Sequence, residues 1–197
     1  MNQVANGDYT GDVLAVLDET SPMIGAGVYY VVTTAIIINP AMVIPDLDSF
    51  FDGTPNRKKP FHWHREGQQT ITKMIDLIVD HKITATVLYR SVSRKGQKHA
   101  RKALLEEHTQ RAHQLGVSHL ILEAADPRTN TNDLKTIAVT TEAIPATAFR
   151  YEHRRKTERT LWVADAFCGA VSDFLRNTNP KWYNELDKRG LIEMEYI

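Results

Sequence analysis

One acidic residue lies in the middle of an otherwise apolar stretch of this sequence. Residues 160–171 carry small or apolar side chains at nearly every position, and Asp165 is the clear exception. When the stretch is drawn as a helix it is apolar on almost every side, which is typical of a fully buried helix. Burying an unpaired carboxylate is costly unless the group gains a partner or stays protonated. Asp165 therefore predicts either a buried ion pair or a functional site at the centre of the fold.

Two short apolar runs end at acidic residues. Residues 13–17 predict a strand buried on both faces, and Asp18 and Glu19 follow it directly. Residues 117–122 predict a second buried strand, which ends at Glu123. Ligands of α/β proteins collect at strand ends, so we expect these acids to lie near Asp165.

Three carboxylates at one point raise each other's pKa unless a cation balances them. Carboxylate oxygens are ligands that Mg and Mn prefer in proteins. We therefore predict that Asp18, Glu123 and Asp165 form the metal site and act in catalysis, with Mg or Mn as the cofactor. Glu19 is a further candidate catalytic acid.

Each acid also has a purely structural explanation. The pair that follows the first strand precedes a Thr-Ser-Pro turn, where acidic residues are common. Glu123 has Arg128 as a candidate ion-pair partner, and Asp165 has Arg90. If these ion pairs form, the chain is a noncatalytic module that binds nucleic acid or protein.

Two histidines flank Trp63. We interpret residues 61–64 as a third strand, on which His62 and His64 share one face because side chains alternate. His62 is a candidate catalytic residue that assists proton transfer. The alternatives are a zinc-dependent hydrolase that uses both imidazoles, or a pair of partly exposed histidines on an edge strand.

The balance of charge restricts how the chain binds a polyanion. Lys and Arg number 24, as do Asp and Glu, so the net charge is zero and gives no overall attraction to nucleic acid. Binding to nucleic acid is expected only through local basic patches. Three clusters of basic residues provide them, within residues 57–59, 94–102 and 150–159.

No part of the sequence predicts a membrane-bound or secreted protein. The apolar run of residues 28–38 is too short to span a bilayer, and residues 1–10 are too polar for a signal peptide. The single cysteine, Cys168, forms no internal disulfide and fits a reducing compartment, and its apolar surroundings indicate a core residue. We expect a cytoplasmic protein, and the sequence gives no oligomeric state.

The order of the elements predicts an α/β fold. A hairpin and a third strand come first, and helices and strands alternate afterwards, which favours a mixed sheet of antiparallel and parallel strands with helices on both faces. Residues 39–56 are interpreted as irregular because they contain three prolines, and residues 181–197 as a last helix. We predict one domain over residues 1–197, with a core at about 13–176 and a C-terminal extension at 177–197.

Two of these segments resemble motifs of a known family. Residues 17–21 read Leu-Asp-Glu-Thr-Ser and resemble the strand end Asp-Glu-Ser-Gly of domain-of-unknown-function family 3800, while residues 161–171 resemble its helix with a Leu-Ala-Asp core followed by Gly-Ala. The resemblance extends over residues 13–176. It implies a ribonuclease H-like fold, with Asp18, Glu123 and Asp165 as the metal-binding acids and Glu19 as a fourth.

Together these features predict a divalent-metal-dependent nuclease or a related phosphodiester-processing enzyme. The sequence does not distinguish RNA from DNA as the substrate. It contains no Gly-rich phosphate loop and no serine nucleophile motif, which disfavours hydrolysis of nucleoside triphosphates and serine hydrolysis.

Overall fold

The computed structural model describes residues 13–25, 27–52, 59–93, 96–142 and 149–197. Within these ranges the chain forms seven strands, and their bounds are β1 Val13–Thr20, β2 Met23–Ile24, β3 Gly27–Ile38, β4 Thr84–Val92, β5 His119–Glu123, β6 Arg150–Arg154 and β7 Ile192–Tyr196. The same ranges contain six α-helices, which are α1 Pro40–Ser49, α2 Gln68–Asp80, α3 Gln97–Gln114, α4 Pro127–Thr140, α5 Leu161–Leu175 and α6 Lys181–Lys188. A short 3₁₀ helix spans Trp63–Arg65.

The strands form one mixed sheet in the order β6-β5-β1-β3-β4-β7, and β2 pairs with the start of β3. β1, β3 and β4 are antiparallel neighbours, whereas β5, β6 and β7 each join a neighbour in parallel. In the central pair, Leu17 of β1 lies opposite Leu122 of β5. The next residues of these two parallel strands, Asp18 and Glu123, therefore reach the same edge of the sheet side by side.

Alternation along β1 gives the sheet one apolar core on each face. Leu14 and Val16 belong to a core with apolar residues of α1, α2, α5 and α6. Ala15 and Leu17 belong to a second core with residues of α3 and α4. The predicted α/β fold, with a mixed sheet and helices on both faces, is confirmed.

Helix α5 is the predicted apolar helix. Every residue from Leu161 to Ser172 is buried, and the helix packs on β1 and β3. Asp165 is 5% exposed, so the acid is buried as the apolar pattern predicts.

Three local predictions are wrong. Residues 40–49 form α1, in which Val43 and Leu47 are buried one turn apart, and Pro40 stands at the first turn where a missing N–H costs nothing. Residues 61–64 do not form a strand. Phe61 and Trp63 pack into the core on the α5 side of the sheet, which we call the α5 core, and a 3₁₀ helix begins at Trp63.

The third error concerns residues 181–197, which form α6 followed by β7 rather than one helix. β7 extends the sheet by pairing with β4, and Trp182 and Leu186 of α6 belong to the α5 core. The C-terminal segment thus shares the central core of the fold.

No helix in the described ranges is both long enough and apolar enough to cross a membrane. Several sequence predictions concern residues outside the described ranges. These are the polar N-terminal residues 1–10 and the basic residues Arg57, Lys58, Arg94 and Lys95.

Candidate active site

Two of the predicted acids lie at neighbouring strand ends. Asp18 is near the end of β1 and is 8% exposed, and its Oδ1 accepts a hydrogen bond from the backbone N–H of Glu19 at 2.8 Å. Glu123 is the last residue of β5 and is half-buried. The parallel register of β1 and β5 holds these two carboxyl groups next to each other.

The third acid reaches the same point from the helix above the sheet. Oδ2 of Asp165 accepts a hydrogen bond from the backbone N–H of Trp63 at 2.7 Å. Its Oδ1 lies 3.2 Å from Nδ1 of His62. The segment that contains the two histidines therefore holds the buried carboxylate in place, although it is not the strand that we expected.

One lysine side chain joins all three acids. Nζ of Lys156 lies 2.7 Å from Oδ1 of Asp165 and 3.0 Å from Oε2 of Glu123. It also lies 3.7 Å from Oδ2 of Asp18. The partners that the sequence suggested, Arg128 and Arg90, are not the ones that these acids use.

Lys156 is the member of this candidate site that sequence analysis missed. In the sequence it belongs to the basic run of residues 150–159, which predicts a local patch for nucleic acid. Its segment, residues 155–160, connects β6 to α5, and only the packing of that connection brings the ammonium between the acids. The indole N–H of Trp162 donates to the backbone oxygen of Lys156 at 2.8 Å and anchors this segment.

Burial and mutual repulsion control protonation in this group of residues, which we call the Lys156 cluster (Asp18, Glu123, Lys156 and Asp165). Burial raises the pKa of Asp18 well above its usual value, the Lys156 ammonium opposes that rise, and the carboxylates of Asp165 and Glu123 add to it. Burial alone lowers the pKa of Lys156, but Asp18 and Asp165 outweigh it and the pKa lies above its ordinary value. The lysine is therefore charged at neutral pH.

Glu19 lies apart from this cluster. Its side chain contacts the guanidinium of Arg101 and the hydroxyl of Tyr30. Arg101 also binds Asp133 through two hydrogen bonds, at 2.9 Å from Nε and 2.7 Å from Nη2. Nε2 of His153 lies 3.2 Å from the same Asp133 carboxylate. We call these five residues the Arg101 cluster.

Trp63 contacts helix α5 in a second way. Its indole Nε1–H donates to Oδ2 of Asp173 at 2.8 Å, and its ring lies against Gly169. A Cβ atom at residue 169 would lie 2.0 Å from Cγ of Trp63. Gly169 therefore makes room for the indole ring, which fills the space beside this turn of α5.

The acids line an open pocket of about 510 Å³. The exposed side chains of His64 and Arg65 lie at its wall, and Glu19 and Arg101 reach it from the other face of β1. The ring centroids of His62 and His64 are 6.2 Å apart. The pocket thus has room for a ligand beside the Lys156 cluster.

Cys168 also lines the pocket but is buried. Burial raises the pKa of its thiol well above the usual value, and the nearby carboxylate of Asp18 raises it further. The thiol is therefore protonated and a poor nucleophile, as expected for a core residue.

The basic run around Lys156 is largely used within the fold. Arg154 binds Glu152 at 2.8 Å, and Arg159 binds Asp48 at 3.0 Å. With the Lys156 ammonium among the acids, three of these cations already have carboxylate partners. The patch next to α5 therefore offers less charge to a phosphate backbone than its composition suggests.

The donor set suits a hard divalent cation, since all three ligands are carboxylates. As arranged, however, no group of three or more His, Cys, Asp or Glu side chains in the described part of the chain could hold a metal ion. The place where the three carboxylates converge is taken by an ammonium group. The residues fit Mg or Mn in chemistry, because carboxylates are the donors that both ions prefer.

Comparison of the sequence with protein-family models finds no match, and comparison with curated proteins finds none either.

Proposed function

We propose that this chain is a divalent-metal-dependent phosphodiester-processing enzyme, a nuclease on a ribonuclease H-like scaffold. One observation carries the proposal. Carboxylates from β1, β5 and α5 lie within 4 Å of a single cationic atom, the Nζ of Lys156. Acids that are far apart in sequence and converge on one cation in a pocket are typical of functional sites.

The arrangement of the sheet supports the scaffold. β1 is central, with antiparallel β3 on one side and parallel β5 on the other. Two of the acids stand where β1 and β5 end, and the third comes from the helix that packs across β1. The site is therefore built on rigid elements, which metal catalysis requires for precise positioning.

In this proposal Asp18, Glu123 and Asp165 hold Mg or Mn. A divalent cation at that point supplies Lewis acidity to a phosphodiester and lowers the pKa of an attacking water. The backbone N–H of Trp63 keeps Asp165 oriented towards the pocket. A carboxylate only accepts hydrogen bonds, so Nδ1 of His62 carries the proton towards Asp165 and Nε2 is the atom that accepts a proton.

The test combines metal binding with a nuclease assay. Titration calorimetry with Mn²⁺ is carried out on the wild type, Asp165→Asn and Glu123→Gln, with Asp76→Asn on the exposed side of α2 as the matched control. We expect binding by the wild type and the control, and loss of at least about tenfold in affinity for the two site variants. Cleavage of single-stranded, duplex and hybrid substrates should follow the same order.

If the wild type takes up no Mn²⁺ and cleaves no substrate, the proposal fails. The second candidate is then favoured, a noncatalytic binding module on the same scaffold. The ion pairs of Lys156 are the observation on its side, because they neutralise part of the acidic charge without a metal. Zinc uptake that is lost in His62→Ala but kept in Asp18→Asn would instead support the zinc hydrolase.

A further inference from the structure

The ammonium of Lys156 stands where the three carboxylates of the proposed metal site converge. Its distances to Asp165, Glu123 and Asp18 are 2.7, 3.0 and 3.7 Å. A metal ion that used the same oxygens would need this volume, since Mg–oxygen distances are only about 2.0–2.1 Å. Lysine and metal therefore cannot both occupy the site.

We propose that Lys156 is an exchangeable internal counter-ion, which holds the three acids together in the metal-free protein and is displaced when a divalent cation binds. The inference rests on the proposed function, because it assumes that these acids are the metal ligands.

Charge gives the first reason for exchange. Metal binding needs all three carboxylates ionised, and in that state the largely buried group carries a formal charge of −2 with the Lys156 ammonium present. A lysine balances one of these charges, whereas a divalent cation balances two. Negative charges at short range repel each other and disfavour ionisation. A divalent cation therefore relieves more of the repulsion among these acids than the lysine does.

The geometry of the lysine gives the second reason. Its side chain is 21% exposed and belongs to the connection between β6 and α5, so the ammonium has a route to solvent that needs no movement of a helix or strand. An ammonium on a four-carbon stem is a point charge without a fixed hydrogen-bonding plane. In this proposal, rotation about the side-chain bonds moves Nζ out of the cluster.

Arg101 shows what a permanent counter-ion looks like in the same protein. Its guanidinium binds Asp133 in the planar, two-bond manner and also contacts Glu19 and Tyr30. Its side chain is only 14% exposed. Lys156 has neither the fork geometry nor the same degree of enclosure.

The first experiment compares Mn²⁺ binding by calorimetry in the wild type, Lys156→Gln and the control Lys73→Gln, which removes an exposed lysine from α2. We expect Lys156→Gln to bind Mn²⁺ about tenfold more tightly than the wild type, within the usual range of coupling free energies. The control should match the wild type. Thermal denaturation should show a larger Mn²⁺-induced rise in Tm for Lys156→Gln than for the wild type.

The outcomes separate the two proposals. If the wild type binds Mn²⁺ and Lys156→Gln binds it equally or more weakly, the proposed displacement of Lys156 is wrong, whereas the proposed metal site still stands. If neither protein binds Mn²⁺, both the exchange and the proposed function are wrong.

A measurement on the wild type decides the question even if Lys156→Gln does not fold. The Nζ resonance of Lys156 is observed by ¹⁵N NMR and assigned with Lys156→Arg. In the metal-free protein it should be protected from exchange with water, and saturating Mg²⁺ should move it to the position of solvent-exposed lysines. A resonance that stays protected at saturating Mg²⁺ would overturn the proposal.

Discussion

Two clusters of charge lie on opposite faces of β1, and they begin at adjacent residues. Asp18 points towards α5 and shares Lys156 with two other acids, whereas Glu19 points the other way and contacts Arg101. Because side chains alternate along a strand, two neighbouring acids enter two separate networks. The pair of acids that reads as one motif in the sequence therefore belongs to two different networks, although both networks reach the same pocket.

The cation distinguishes the two clusters. Arg101 directs a rigid fork of donors at Asp133 and further donors at Glu19 and Tyr30, so each donor has a defined acceptor. Lys156 is one point charge among three carboxylates, at distances that range from 2.7 to 3.7 Å. The comparison indicates that the Arg101 cluster holds the fold together and that the Lys156 cluster is arranged for exchange.

The largest expected effect is the loss of the arginine. Arg101→Gln leaves Asp133 and Glu19 without their cation, and breaking a buried pair of this kind costs roughly 3 kcal/mol or more. Lys156→Gln should cost less than Arg101→Gln, because the raised pKa of Asp18 lets a proton replace part of the lost charge. Urea denaturation with unchanged m values measures both. A greater loss for Lys156→Gln than for Arg101→Gln would break the comparison.

The next effect concerns the contact that positions α5 over the Lys156 cluster. Gly169→Ala places a Cβ 2.0 Å from Cγ of Trp63, so the indole must move and its hydrogen bond to Asp173 is disturbed. We expect a loss of about 2–3 kcal/mol in the free energy of unfolding. Gly27→Ala is the control, since its Cβ would meet only ordinary contacts at 3.5 Å and beyond. Equal stability of the two variants would show that Trp63 is not locked against α5.

A pH measurement tests the Arg101 side of the sheet. His108 is buried on α3 with Nε2–H donating to the Val32 carbonyl and Nδ1 accepting from Thr34, and burial lowers its pKa to about 3. The unfolded chain takes up a proton below about pH 6.5 that the folded chain refuses. Stability therefore falls as the pH drops from 6.5 towards 3, by about 1.4 kcal/mol per unit from this group.

In His108→Gln, the slope of the unfolding free energy against pH should decrease by the contribution of one proton, about 1.4 kcal/mol per pH unit. His99→Gln, on the exposed side of α3, should leave the slope unchanged. Denaturation at several pH values between 4 and 7 measures the slope. An unchanged slope in His108→Gln would mean that this imidazole is not held neutral by the fold.

The smallest expected effect separates the two adjacent acids by metal affinity. Glu19→Gln should change Mn²⁺ affinity by less than about threefold, because Glu19 belongs to the Arg101 cluster. Glu123→Gln should reduce it by about tenfold or more, since this carboxylate lies 3.0 Å from Nζ of Lys156. Calorimetry under identical conditions compares them. Equal losses would place Glu19 in the metal site as well.

Part of this site could be read from the sequence. The apolar pattern of α5 predicts that Asp165 is buried, and the apolar runs that precede Asp18 and Glu123 predict two buried strands. The predicted end of the first strand is wrong, because β1 continues to Thr20 and includes Asp18 and Glu19. The alternation of side chains could also have separated Glu19 from Asp18, but the two were grouped together because they are adjacent. Catalytic and metal-binding roles for these residues stay predictions.

Other parts depended on contacts between distant segments. Residues 61–64 alternate in polarity like a strand, yet Trp63 is held by Gly169 and by the carboxylates of Asp165 and Asp173. β7 forms because β4 offers an edge for parallel pairing, which local propensity does not reveal. These errors arise where tertiary packing overrides local patterns.

The buried helix, the two buried strands and the α/β class follow from the sequence, because hydrophobic periodicity is a local property that each segment carries with it. Which cation the acids share depends on how distant segments pack together. The distance between Lys156 and three carboxylates on three separate elements depends on how β6, α5 and their connection pack on the sheet. Ion pairs form between groups that are close in space, and the position of a charged residue in the sequence does not give the position of its charged group in the fold.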